Sequence, residues 1–184
     1  KITPLMTRIM DATLVLHGEH TINASTFTAM VTSSTLANAS QVVASAIGSL
    51  SGPLHGGANE KVVAMLQKIN SKDDIRPWLD ETLKAKNVVW GMGHREYSVK
   101  DPRANILTNM VRELFDERDG GVTDIFEKAI ELEKACEEKL AHKGVYPNVD
   151  FYSGILYREM DIPTDIFTPI FAMSRVSGWL AHWI

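Results

Sequence analysis

The stretch TDIFEKAIELEKACEEKLAHKG, residues 123–144, sets the fold class. Its apolar positions Ile125, Phe126, Ile130, Leu132 and Leu140 recur at helical spacing, not in alternation. Thr123 stands where an N-cap belongs, and Lys143-Gly144 supplies a stop. The expectation is one long helix to about His142.

The same punctuation holds outward in both directions. After it, Tyr146-Pro147-Asn148 is a loop and a helix runs to about Met160. Ile162-Pro163 is a turn, and a last helix begins around Asp165 to Pro169. Before it, Asp119-Gly120-Gly121 ends a helix that opens at Asp101-Pro102, an N-cap followed by a first-turn proline. That helix shows Ile106, Leu107, Met110, Val111 and Leu114. Gly91-Met92-Gly93 is a loop, and Asn87 to Trp90 reads as extended. Further helices fall at about Ala58–Ile69 and, after Asp73 and Asp74, from Ile75-Arg76-Pro77 to near Lys86. A single helix is expected from Asn23 or Ser25 to about Ser49, and another over residues 2–16. Period-two alternation is nearly absent, so the chain reads as all-α with about eight helices. Gly and Pro cluster at Gly52–Gly57 and again near Asn148–Gly154, which suggests a domain break and a return.

Composition narrows the function. Of 184 residues, 45% are hydrophobic and 23% charged, which excludes a disordered chain. A formal net charge of −4 argues against non-specific nucleic-acid binding. No apolar run is long enough to span a bilayer. The one cysteine, Cys136, cannot form a disulfide within the chain and sits in a charged helix with no evident catalytic partner. Lys1 opens into a helical pattern and Ile184 ends within one, with no initiator Met and no targeting segment. The expectation is a fragment of a longer chain.

The candidate chemistry lies in the glycine-flanked histidines. His17, His20, His55 and His94 each sit near a helix end or among glycines. A single histidine of this kind reads first as structural. Gly52-Pro53-Leu54-His55-Gly56-Gly57-Ala58-Asn59 and Gly91-Met92-Gly93-His94 read differently, because glycine lets a ligand approach the backbone. Asp150, in Pro147-Asn148-Val149-Asp150-Phe151, is either an N-cap or a general base. His17-Gly18-Glu19-His20 lacks the order of a zinc motif, and no metal site is expected. Gly91-Met92-Gly93 lacks the third glycine and the alternating strands of a dinucleotide fold. No P-loop is present.

Read together and in order, five blocks resemble the citrate synthase family. They are His17-Gly18-Glu19-His20 with Asn23-Ala24-Ser25-Thr26, then Gly52 to Asn59, then Gly91-Met92-Gly93-His94-Arg95 with Asp101-Pro102-Arg103, then Tyr146 to Gly154, then Ser174 to His182. The resemblance implies an all-α, two-domain fold. Residues 1–54 and 153–184 would be part of the large domain, and 55–152 the small mobile domain. It implies condensation of acetyl-CoA with oxaloacetate to citrate and free CoA. It implies a homodimer, cytoplasmic as in bacterial-type members, with acetyl-CoA as co-substrate and no tightly bound cofactor.

By the same resemblance Asp150 is the base, His55 the donor to the thioester oxygen, and His94 the group that polarises the ketone. His20, Arg103 and Arg175 match oxaloacetate-binding positions. Val89, Trp90, Gly91, Met92, Gly93, Arg95 and Lys143 match CoA-contacting positions. The family's arginine from a neighbouring subunit would lie beyond Ile184, so residues 1–184 alone are expected to be inactive or nearly so. Two alternatives stand beside this reading. One is a 2-methylcitrate synthase using propionyl-CoA. The other is a non-catalytic module that binds CoA or oxaloacetate.

Overall fold

The computed structural model describes residues 2–52, 54–94, 96–118 and 121–184. Pro53, Arg95 and the Asp119-Gly120 stop lie outside them, so the CoA assignment to Arg95 has no structural counterpart here. Among the described residues there are nine α-helices and no strand. They are α1 (Pro4–Gly18), α2 (Ala24–Ser33), α3 (Ala39–Leu50), α4 (Ala58–Gln67), α5 (Ile75–Lys84), α6 (Pro102–Arg118), α7 (Asp124–Leu140), α8 (Val149–Glu159) and α9 (Phe167–Trp183). Short 3-10 turns occupy Lys72–Asp74, Ala141–Lys143 and Thr164–Ile166. Among the described residues no helix is long and apolar enough to cross a membrane.

One local expectation is corrected. The helix expected from Asn23 to Ser49 is two helices. Near its middle, Ser33, Ser34 and Thr35 each donate a side-chain hydrogen bond to the carbonyl three residues back. Such bonds compete with the helical ladder. Leu36 then turns left-handed at φ 62°, and Asn38 opens α3 with a capping box to Gln41. Asn87 to Val89 has no regular secondary structure, and Trp90 lies in a turn. The extended pairing in this region is a single bridge between Met92 and Pro147.

The chain divides into two compact units. The first is Lys1–Gly57 with Asp165–Ile184. In it α2, α3 and α9 enclose Ala29, Val42, Ala46, Leu50, Phe171 and Trp179, and α1 packs on α9. Gly178 of α9 meets Gly18 of α1 so closely that a Cβ there would run into the Gly18 carbonyl oxygen.

The second unit is Ala58–Thr164, and α8 is its axis. Nine residues of α8 are buried, which is the pattern of a helix covered on all sides. It packs against α4 and α6, while α7 packs on α5 and α4. A Cβ on Gly154 would collide with the Asn59 carbonyl of α4, so the two backbones touch there. The family resemblance puts the return to the large domain at residue 153; the two compact units divide at Thr164/Asp165, at the turns that follow the unbroken, buried α8.

Candidate active-site residues and family

Each unit carries its own cluster of the candidate residues. In the first unit, His55 lies in the turn after α3 and is half-buried. The backbone N–H of Ser25, in the first turn of α2, donates to His55 Nε2 at 3.2 Å. The Ser25 hydroxyl lies 2.9 Å from the same nitrogen. Trp179 Nε1 donates to that hydroxyl oxygen at 3.2 Å, and Asn23, the α2 N-cap, accepts from the hydroxyl at 2.8 Å. A backbone N–H is only a donor, so Nε2 must be the acceptor and the ring proton sits on Nδ1. Burial, with Arg175 nearby as a second cause, holds His55 below the ordinary imidazole pKa. His55 is therefore a neutral ring with an Nδ1–H donor.

Arg175 is buried on α9. Its Nε–H donates to the His17 carbonyl at 2.6 Å, and its guanidinium stacks 4.8 Å over Phe171. His17 donates from Nδ1 to the Thr13 carbonyl at 2.9 Å and meets Phe171 edge-on. His17 thus acts as a fixed support of the last turn of α1, from which His20 follows.

In the second unit, the loop Val89–Gly93 lies against α8. Gly91 has φ +78°, and a Cβ there would sit 2.7 Å from Val62 and 2.9 Å from Phe151, so only glycine fits. Asn148 ties this loop down. Its backbone N–H donates to Gly91 O at 2.9 Å, and its Nδ2 donates to Gly93 O at 2.9 Å. Asn148 is also the N-cap of α8, accepting from the backbone N–H of Asp150 at 3.0 Å. The choice left open for Asp150 is settled in part: the cap is Asn148, and Asp150 is a first-turn residue.

His94 accepts the Glu96 backbone N–H on Nδ1 at 3.0 Å and lies 4.8 Å from the Tyr97 ring. Burial lowers its pKa, Arg103 adds to the lowering, and Asp101 and Glu96 oppose it. Asp101 and Arg103 form a buried pair, with Nη2 to Oδ2 at 2.7 Å and Nε to Oδ1 at 3.1 Å. Asp101 also accepts the Arg103 backbone N–H at 2.9 Å, so it caps α6 as the sequence suggested. Burial alone would raise the Asp101 carboxyl, but the Arg103 bonds prevail and hold it below the usual range. Lys143 is exposed in the 141–144 turn, and Gly144 beside it packs on Ser98. Sequence reasoning did not find Ser25 as the partner of His55, 30 residues away. It also did not find the two-sided clamp of Asn148.

A family model described as "Citrate synthase, C-terminal domain" matches residues 1–184. The chain belongs to the citrate synthase family. It is 54% identical over 180 residues to a citrate synthase of Synechocystis sp., covering 98% of this chain and 45% of that protein. It is 52% identical over 180 residues to one of Acidithiobacillus ferridurans, covering 98% and 47%. The fold agrees. A citrate synthase of Thermoplasma acidophilum, solved as a ternary complex with carboxymethyl coenzyme A and oxaloacetate, superimposes with a TM-score of 0.92 at 35% identity, over 100% of this chain and 49% of that one. A citrate synthase of Thermotoga maritima gives 0.90 at 39% identity, over 100% and 49%. The chain spans about half the length of the citrate synthases it matches.

Proposed function

We propose that this chain supplies catalytic residues of a citrate synthase, which condenses acetyl-CoA with oxaloacetate and water to citrate and CoA. The observation that carries the reading is the Ser25 backbone N–H directed at His55 Nε2, which leaves Nδ1 as the nitrogen that carries the ring proton.

A thioester methyl is a very weak acid, so a carboxylate can remove its proton only if the oxygen that gains charge is stabilised at once. In this reading Asp150 takes the methyl proton while His55 Nδ1–H hydrogen-bonds the thioester oxygen. The resulting enol carbon attacks the ketone carbon of oxaloacetate. His94, polarising that ketone, gives its oxygen a proton. Water then cleaves the citryl thioester and CoA leaves as the thiol. His20, Arg103 and Arg175 bind oxaloacetate, the two arginines matching carboxylates with planar donor forks. Val89 to Gly93 and Lys143 contact CoA. The Ala58–Thr164 unit corresponds to the family's small domain.

The reading also includes a homodimer in the cytoplasm. Val43, Ala44 and Ile47 of α3 and Leu180 of α9 line an apolar groove of about 390 Å³, with the small residues Ala39 and Ser40 beside them. Ile47 is 43% exposed in the single chain, and a second copy would cover it. Light scattering on the full-length protein tests this.

The test of activity is CoA thiol release by the full-length protein with oxaloacetate and acetyl-CoA, beside an Asp150→Ala variant. Release that falls by about 10²–10⁴ in the variant supports the assignment. Release faster with propionyl-CoA would make the enzyme a 2-methylcitrate synthase. Oxaloacetate binding without release would leave a binding module.

A further inference from the structure

Among the described residues between Gly93 and Pro102 there is no regular secondary structure, yet both ends of this segment carry residues of the proposed site, His94 and Arg103. Asn148 fixes the first end through Gly91 and Gly93. The far end is held differently. Lys100, next to Asp101, pairs with Glu133 of α7. Glu133 also accepts the phenolic O–H of Tyr152. Tyr152 lies on α8, two residues after Asp150, and is fully buried. The Lys100 ammonium sits 5.3 Å over the Tyr152 ring. The phenyl face packs on Phe126 and Phe151.

We infer that Tyr152, Glu133 and Lys100 form a tether that sets the 96–103 segment against the helix carrying Asp150, and so act as positioning residues for oxaloacetate binding. This rests on the functional reading above.

The physical case is one of completeness. A carboxylate that is mostly removed from water is kept only with strong partners, and Glu133 has two, one charged and one a buried phenol. Each partner reaches a different part of the unit: the loop through Lys100, the axis through Tyr152. The phenol is pushed far above its ordinary pKa by burial and by Glu133, so it remains a donor at any working pH. Removing its oxygen leaves Glu133 bound to the loop but not to the axis. The segment bearing Asp101 and Arg103 then keeps its internal pair and the Asp101 backbone N–H bond to the Pro147 carbonyl at 3.3 Å, but loses its side-chain link to α8.

The test uses the full-length protein with Tyr152→Phe, Lys100→Met and the double variant. Arg76→Ala serves as a control. Arg76 bonds Glu131 and Glu138 and so joins α5 to α7 in the same unit, away from the segment. Two readouts are taken. Hydrogen exchange of residues 96–103 should speed up in both single variants and not in the control. The KM for oxaloacetate should rise roughly tenfold or more, with the KM for acetyl-CoA within about twofold, because misplacement of binding groups is costly even when small. The double variant should be no worse than the poorer single, since the residues act as one unit. Unchanged exchange in Tyr152→Phe overturns the tether. Faster exchange with both KM values unchanged overturns its positioning role. If the wild-type protein releases no CoA, the functional reading fails, and exchange alone decides the tether.

Discussion

The backbone N–H of Ser25 points at Nε2 of His55, 30 residues further along the chain, at 3.2 Å. A main-chain donor cannot be removed by changing a side chain and cannot reverse its role. The tautomer of His55 is thus set by the path of α2, because the Ser25 hydroxyl gives its one proton to Asn23. In Ser25→Ala the Trp179 indole loses its acceptor, but the Nδ1–H form should persist. Long-range proton–nitrogen correlation of the imidazoles reads this directly. A wild-type His55 protonated on Nε2 at neutral pH would contradict the assignment.

His55 and His94 also make stability depend on pH. Both have folded-state pKa values below the ordinary 6.5. The unfolded chain therefore binds protons on these rings at a higher pH than the folded chain does, and stability falls as pH drops below 6.5. Asp101, also lowered, adds a loss only as pH falls below its ordinary 3.8. Urea unfolding at about pH 7.5 and about pH 5.5 should show a lower midpoint at the acid value. A His55→Gln/His94→Gln double variant should narrow that difference, and an unchanged difference would refute the assignment.

Glycine substitutions should divide by position. Gly154→Ala and Gly178→Ala force a methyl against a backbone carbonyl in each unit. Each should cost about 1–3 kcal/mol, because backbone cannot yield as a side chain can. Gly48 lies within α3, where an added methyl group would meet nothing within 4 Å. Gly48→Ala should stabilise by about 0.5–1 kcal/mol by removing the entropy a helical glycine loses. Denaturant titration of the three variants gives the order.

Cys136 offers a label-free report of unfolding. It is fully buried, and burial together with Glu133 pushes its thiol up to about 12. At pH 8 only about one thiol in ten thousand is ionised in the folded chain. An aromatic disulfide reagent should give almost no colour with folded protein and one equivalent in guanidinium. Fast reaction of the folded chain would show that α7 opens locally.

Much of this was legible because it is local. The α7 periodicity, the Asp101-Pro102 start of α6 and the loop at Gly91-Met92-Gly93 each depend on residues a few positions apart. The break between α2 and α3 was not read, since serine and threonine there compete with the helix through bonds that composition does not reveal. The glycine and proline cluster over Asn148–Gly154 suggested a break in the chain, with Gly154 as one of its breakers. That glycine is there for contact with Asn59 and not for a turn. The order of the motifs named the family. It could not show that Ser25 holds His55 or that the Asn148 side chain also clamps the Gly93 carbonyl, because those partners, 30 and 55 residues apart, meet only in three dimensions.

The meeting of Gly178 with Gly18 bears on Arg175, one helical turn earlier on α9. With no side chain between them, the two helices have a single permitted rotational setting. Rolling α9 by one residue, about 100°, would bring a side chain where only a hydrogen fits. Arg175 inherits that setting, so the direction of its guanidinium is indexed by two glycines that have no side chain to offer it.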